Sequence, residues 1–181
     1  KTNSIDILIN NTQGPSAGDV LSVSESDYKN AFNLLFQNTV NTSMAAIKEM
    51  KKKNWGRIIN MTSVSVKEPL SYLALSNTIR SAVTSWGKTL SIESGKHNIT
   101  VNNILTGFFN TERLNQLNSE KAKKFKVEIK EVFKTMSEMV PLKRIGEPEE
   151  FGYLVAFLSS DYADYINGAN IPIDGGLLKS M

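Results

Sequence analysis

Short β-branched apolar runs alternate along this chain with longer stretches whose apolar residues return at helical spacing. The first, Ile5-Asp6-Ile7-Leu8-Ile9, ends at Asn10-Asn11 and predicts a buried strand. Gly14-Pro15 and Gly18 mark a loop, and Ser24-Glu25-Ser26-Asp27 resembles a capping box that opens a long helix. Phe32, Leu35, Phe36, Val40, Met44 and Ile47 form its apolar stripe, down to Lys51-Lys52-Lys53. Arg57 to Thr62, entered through Gly56, predicts a second strand, and a second helix is expected from about Leu73 to Glu93, with Gly95 as its stop. Ile99 to Leu105 predicts a third strand, ended by Thr106-Gly107. Phe125, Ile129, Val132, Phe133, Met136 and Val140 predict one amphipathic helix. Pro148 opens a helix running to Ser160, and Asn170 to Ile173 is a last strand closed by Asp174-Gly175-Gly176.

Strands alternating with long helices imply an α/β fold, a parallel sheet with helices on both faces. The first strand has no helix before it, and no G-x-G-x-x-G turn occurs; Gly14-Pro15-Ser16-Ala17-Gly18 is only a loop. The pattern is that of the C-terminal two-thirds of a doubly wound domain, and the natural protein is expected to be longer.

Composition narrows the function classes. The chain has 181 residues, 40% of them hydrophobic, enough for the core of a single domain spanning 1–181. Twenty-one Lys and Arg against 18 Asp and Glu give a net charge of +3. The surplus is spread out and accompanied by no recognition motif, so no nucleic-acid partner is expected. The runs Lys51–Lys53 and Lys121–Lys130 are read as solvated helix faces. Without cysteine there are no disulfides or thiolates, which fits a cytoplasmic protein. Apolar stretches such as Tyr153 to Leu158 are too short to span a bilayer, and Lys1-Thr2-Asn3-Ser4 runs directly into the first strand without a leader. His97 is the single histidine, too few for a zinc site or a triad, and is read as a loop residue; no metal is expected.

A set of landmarks carries a resemblance: Ile9-Asn10-Asn11-Thr12-Gln13-Gly14, Gly56 through Ser63, Ile99-Thr100-Val101-Asn102, Thr106 through Thr111, Arg144-Ile145-Gly146-Glu147-Pro148-Glu149-Glu150, and Ile166-Asn167-Gly168 through Gly176. In this order, from Asp6 to Gly176, the chain resembles the short-chain dehydrogenase/reductases, and within them the 3-oxoacyl-[acyl-carrier-protein] reductases. The resemblance implies a Rossmann-like fold, NAD or NADP as cofactor, a small carbonyl or acyl substrate, and a homo-oligomer, dimer or tetramer, whose long helices pair across subunits.

It also implies a catalytic set, of which little is kept. The family's serine falls on Ser63, but its tyrosine falls on Ser76, its lysine on Arg80 and its relay asparagine on Leu35. An aliphatic hydroxyl hardly ionises near neutrality and ends a whole ring short of a phenol. Losing a general acid typically costs about 10²–10⁴-fold. Arg80 keeps a permanent charge and forked donors for the cofactor's ribose hydroxyls or a phosphate. Tyr72, one turn before Ser76 and two before Arg80, is the one phenol near enough to replace the acid. As a residue of the loop entering the helix, it has packing or solvent exposure as its alternative. Ser63 either orients a carbonyl or caps a strand end.

By the same resemblance Asn11, Thr12, Phe109 and Thr111 lie near the cofactor. Thr106 stands where the family has proline, which frees an N–H and is expected to loosen the loop. The stripe from Phe125 to Val140 corresponds to a substrate lid. Two functions follow: an oxidoreductase with impaired or atypical catalysis, or a non-catalytic scaffold that senses cofactor or builds an oligomer.

Overall fold

The computed structural model describes residues 4–180; Lys1–Asn3, expected to lead into the first strand, and Met181 lie outside the described residues. Four parallel strands, β1 (Ile7–Asn10), β2 (Gly56–Met61), β3 (Ile99–Thr106) and β4 (Asn170–Ile173), lie side by side in chain order. Parallel neighbours require crossovers, which the helices supply on both faces. On one face α2 (Asn38–Lys53) and α3 (Ala74–Ser94) bury Ala46, Ile47, Met50 and Leu90 against Ile58, Ile99 and Val101. On the other, α6 (Pro148–Ser159) buries Leu158 against Ile59 and Ile104. Ile58 and Ile59 therefore serve opposite cores, as the period of two along a strand dictates. The expected doubly wound α/β sheet with helices on both faces is present. No helix among the described residues is long and apolar enough to cross a membrane.

Ser24 caps α1 (Glu25–Ala31) as its sequence predicts: Asp27 N donates to Ser24 Oγ at 3.2 Å, and Ser24 N to Asp27 Oδ2 at 2.9 Å. Ser24 Oγ also donates to Asp27 Oδ2 at 2.7 Å, and that bond, with the one from Ser24 N, holds the Asp27 carboxyl below its ordinary value. The long helix is not uniform, however. Phe32–Gln37 winds as a π segment between α1 and α2. It turns Leu35, only 2% exposed, onto Leu75 and Ile79 of α3. Leu35 is thus spent inside the chain and is not available to a partner's helix, while Phe32 and Met44 from the same stripe are exposed.

Two other elements differ from their predicted form. Gly95 stays right-handed at φ −57°. The chain continues as a short 3₁₀ turn, and Asn98 takes the left-handed conformation at φ 53°, which asparagine tolerates. The stripe from Phe125 to Val140 belongs to two helices. Phe125 ends α4 (Glu112–Phe125) and is exposed, Lys126 is left-handed, and α5 (Ile129–Met139) carries Val132 and Met136 inward.

One asparagine from each strand forms a rung across the sheet, buried at Asn10, Asn60 and Asn103 and exposed at Asn170. Asn10 Nδ2 donates to Asn60 Oδ1 at 2.9 Å, Asn60 Nδ2 to Asn103 Oδ1 at 2.9 Å, and Asn103 Nδ2 to Asn170 Oδ1 at 2.8 Å. The pairing register sets these residues side by side. Ser43 and Thr42 on α2 complete the amide of Asn10 at 3.0 and 2.8 Å. Gly87 lets α3 settle on the rung, because a Cβ there would lie 2.8 Å from Asn103 Oδ1. Buried amides without such partners would each cost about 1–3 kcal/mol.

Candidate functional site

The strands end at a cleft of about 1030 Å³, the place where open parallel sheets bind ligands. Its floor is the end of β2 (Met61) with Thr62, Ser63 and Val64, and the end of β3 (Thr106) with Gly107 and Phe108. Asn11, Thr12, Ser63, Tyr72, Ser76, Arg80, Phe109 and Thr111 all line it, so the tertiary structure gathers these eight candidate site residues. Leu35 does not line it.

Arg80 sits on α3 one turn beyond Ser76, half-buried, with Nη1 donating to the Met61 carbonyl at 2.7 Å. No carboxylate pairs with it among the described residues, and burial lowers its pKa to about 10. It therefore remains charged at neutral pH. Ser63 caps the 3₁₀ turn Val64–Val66, accepting from Ser65 N at 3.1 Å, while facing the cleft.

Tyr72 lies in the loop before α3, and that loop is clamped. Gly18 N donates to the Tyr72 carbonyl at 2.9 Å, Ala74 N to the Gly18 carbonyl at 3.2 Å, and Asn77 Nδ2 to the Leu70 carbonyl at 2.8 Å. Tyr72 is 38% exposed as a residue, its phenol pKa is raised by burial, and Lys121 Nζ stands 5.6 Å from the ring centroid. Lys121 is accordingly not part of a solvated face: it is half-buried and lines the cleft, while Lys123 and Lys124 beside it are exposed.

Thr106 does not loosen its loop. It closes the β3 ladder opposite Ile173, and its hydroxyl donates to the Thr62 carbonyl at 2.9 Å, tying two strand ends together. Thr111 caps α4 by accepting from Leu114 N at 3.3 Å. Phe109 is held by the segment Arg144–Glu150. Gly146 N donates to the Phe108 carbonyl at 3.0 Å, and Asn110 N to the Gly146 carbonyl at 2.8 Å. Glu150 anchors that segment by accepting from both Arg144 nitrogens at 2.7 and 2.6 Å, and its carboxyl is lowered to about 2. Sequence reasoning missed Arg113, Asn118 and Lys121 as cleft residues. Their signal was present only as a helical face of α4 (positions 114, 117, 118, 121), which the single stripe assigned to Phe125–Val140 obscured.

Fold and cleft together define a doubly wound α/β protein with a ligand site at its strand ends. The family described as enoyl-(acyl carrier protein) reductase, of the short-chain dehydrogenase/reductases, matches residues 1–178, and the chain belongs to that family. It is 32% identical over 177 residues to the NADPH-dependent reductase BacG of Bacillus subtilis, covering 98% of this chain and 68% of that one. Against the 3-oxoacyl-[acyl-carrier-protein] reductase FabG of Buchnera aphidicola the identity is 33% over 182 residues, with the same coverage. The L-sorbose reductase of Gluconobacter frateurii, solved with NADPH and L-sorbose, superposes with a TM-score of 0.94 at 28% identity, covering 100% of this chain and 69% of that one.

Proposed function

We propose that this chain is the substrate-side portion of an NAD(P)-dependent reductase that converts a small carbonyl compound, of the 3-oxoacyl type or similar, to its alcohol by an atypical acid. The observation that carries this reading is the cleft at the strand ends, which is lined by Ser63, Tyr72, Ser76 and Arg80 and by the candidate cofactor positions Asn11, Thr12, Phe109 and Thr111. The cleft fits the nicotinamide-ribose half of a dinucleotide, since the unpaired, half-buried Arg80 and the residues Asn11, Thr12, Phe109 and Thr111 line one volume. When bound, the reduced nicotinamide supplies the hydride.

The chain's own residues do the rest. Arg80 keeps its charge at neutral pH and offers its remaining donors to ribose hydroxyls. Ser63 Oγ donates to the substrate carbonyl oxygen while still accepting from Ser65 N, as a hydroxyl can do both. Tyr72 Oη gives its proton to that oxygen as it gains charge. Burial raises the phenol pKa, so Tyr72 is a protonated but weak acid at neutral pH, and turnover is slow.

The test follows NADPH oxidation at 340 nm over a panel of 3-oxoacyl esters and small diketones. Tyr72→Phe is expected to lower kcat about 100-fold with little change in Tm. Activity unaffected by Tyr72→Phe would remove the acid from the scheme. Leu35, buried where the family has its relay asparagine, favours the second reading, a non-catalytic scaffold. That reading gains if the native chain shows no turnover and Leu35→Asn, Ser76→Tyr, Arg80→Lys creates it.

A further inference from the structure

Four buried side-chain polar atoms find no hydrogen-bond partner among the described residues: Arg57 Nε, Ser65 Oγ, Asn77 Oδ1 and Asn118 Nδ2. Only the last belongs to a residue lining the cleft. Asn118 is 3% exposed and sits on α4, on the same helical face as Leu114, Leu117 and Lys121. A buried amide donor left open is costly and asks for an acceptor. Lys121, one turn on, is half-buried as a residue and brings an ammonium with no ion pair among the described residues to the same face. Charge around the cleft is lopsided: Arg80, Arg113, Lys121 and Lys124 face only Asp19 and Glu120. Gln116 Nε2 already donates to Glu120 at 3.1 Å, and Arg113 Nη2 to the Pro15 carbonyl at 2.9 Å, while Lys121 lies three residues from Asn118 on the same helical face. Apolar surface lies beside it, from Leu114 and Leu117 to Met136 of α5.

We propose that the carbonyl substrate of this cleft carries an oxyanion, a carboxylate or a phosphate monoester, seated on α4 by Asn118 Nδ2 and Lys121 Nζ with its apolar body against Leu114, Leu117 and Met136. The inference rests on the reductase reading for the word substrate, but the anion seat itself is tested without turnover. Amide donors satisfy one oxygen and the ammonium neutralises the charge, an arrangement stronger than a neutral hydrogen bond.

The experiment measures binding of octanoate, octyl phosphate and 1-octanol to the full 181-residue chain by calorimetry at low salt, first without cofactor. At least one anion is expected to bind about 10-fold or more tightly than the alcohol; which of the two binds tells carboxylate from phosphate. Asn118→Leu and Lys121→Met should each close that gap while leaving 1-octanol unchanged. Asn118→Leu is expected to keep or raise Tm, because it deletes a donor that bonds nothing in the protein, so a merely structural role is excluded. Equal affinity for anion and alcohol, or variants that retain the preference, would overturn the proposal. Displacement of the anion by NADPH would also overturn it, by assigning these cations to the dinucleotide phosphates. Anion binding without any carbonyl reduction leaves the seat standing and defeats the reductase reading; carbonyl reduction indifferent to an added carboxylate does the reverse.

Discussion

At the scale of single residues, the site is governed by what each side chain is already bonded to. Arg80 and Ser63 were both legible as candidates from the resemblance, yet their chemistry depends on their bonding partners: the Met61 carbonyl, remote in sequence, for Arg80, and the Ser65 N–H, two residues on, for Ser63. Gly146 is the clearest case of a position read only as part of a motif. A Cβ there would lie 2.9 Å from Phe109 Cε1, so the glycine exists to let the phenylalanine edge pack down beside Phe151. Gly146→Ala should therefore cost about 1–3 kcal/mol by overpacking, measured by urea denaturation, and should raise KM for NADPH because Phe109 must move. An unchanged KM would disconnect Phe109 from cofactor binding.

At the scale of elements, the helices and strands hold the cleft through polar devices that hydrophobic patterning does not register. The asparagine rung beneath the cleft is one. Asn60→Leu would strand Asn103 Oδ1 in the interior and leave Asn10 Nδ2 with Ser43 Oγ alone, at about 1–3 kcal/mol for the orphaned carbonyl, visible as a lowered urea midpoint. The Arg144–Glu150 fork is another. Because the Glu150 carboxyl is lowered from 4.5 to about 2, its contribution is fully present above pH 4.5 and is lost as pH falls through about 2. Thermal melts of Glu150→Gln should show a shallower loss of Tm between those pH values than the native chain does.

Strand and helix identities were readable from period and punctuation, and Ser24 and Pro148 start their helices as expected. Two features were not readable. The π segment at Phe32–Gln37 leaves apolar spacing nearly helical while rotating Leu35 inward. The break at Lys126 uses a left-handed lysine where a glycine or proline would have announced it. Both are settled by tertiary packing, which overrides the weak local preferences that a pattern can report.

At the scale of the whole molecule, the sheet is asymmetric. β4 and β1 are its edges, and β1 presents Ile7 and Ile9 at 42% and 44% exposure with no strand beyond them among the described residues. An apolar, unpaired edge is a template for pairing with another chain. The 181-residue chain is expected to self-associate through β1, and Ile7→Lys with Ile9→Lys should reduce the mass seen by light scattering. A native chain that scatters as a monomer would show the edge to be inert.

The amino-acid sequence by itself determined the α/β class, the order of strands and helices, the family, and the identities of the candidate site residues. These depend on local period, on glycine and proline punctuation, and on ordered motifs, all of which are properties of neighbouring positions. Only the tertiary structure decided that those residues share one cleft, that the loop of Tyr72 is clamped to Gly18, that Lys121 turns in from an apparently solvated run, and that Asn118 keeps an open donor in the interior. Each of these is set by which distant groups meet across the sheet ends. A hydrogen bond made or left unmade between residues far apart in the chain has no signature in the spacing of either one.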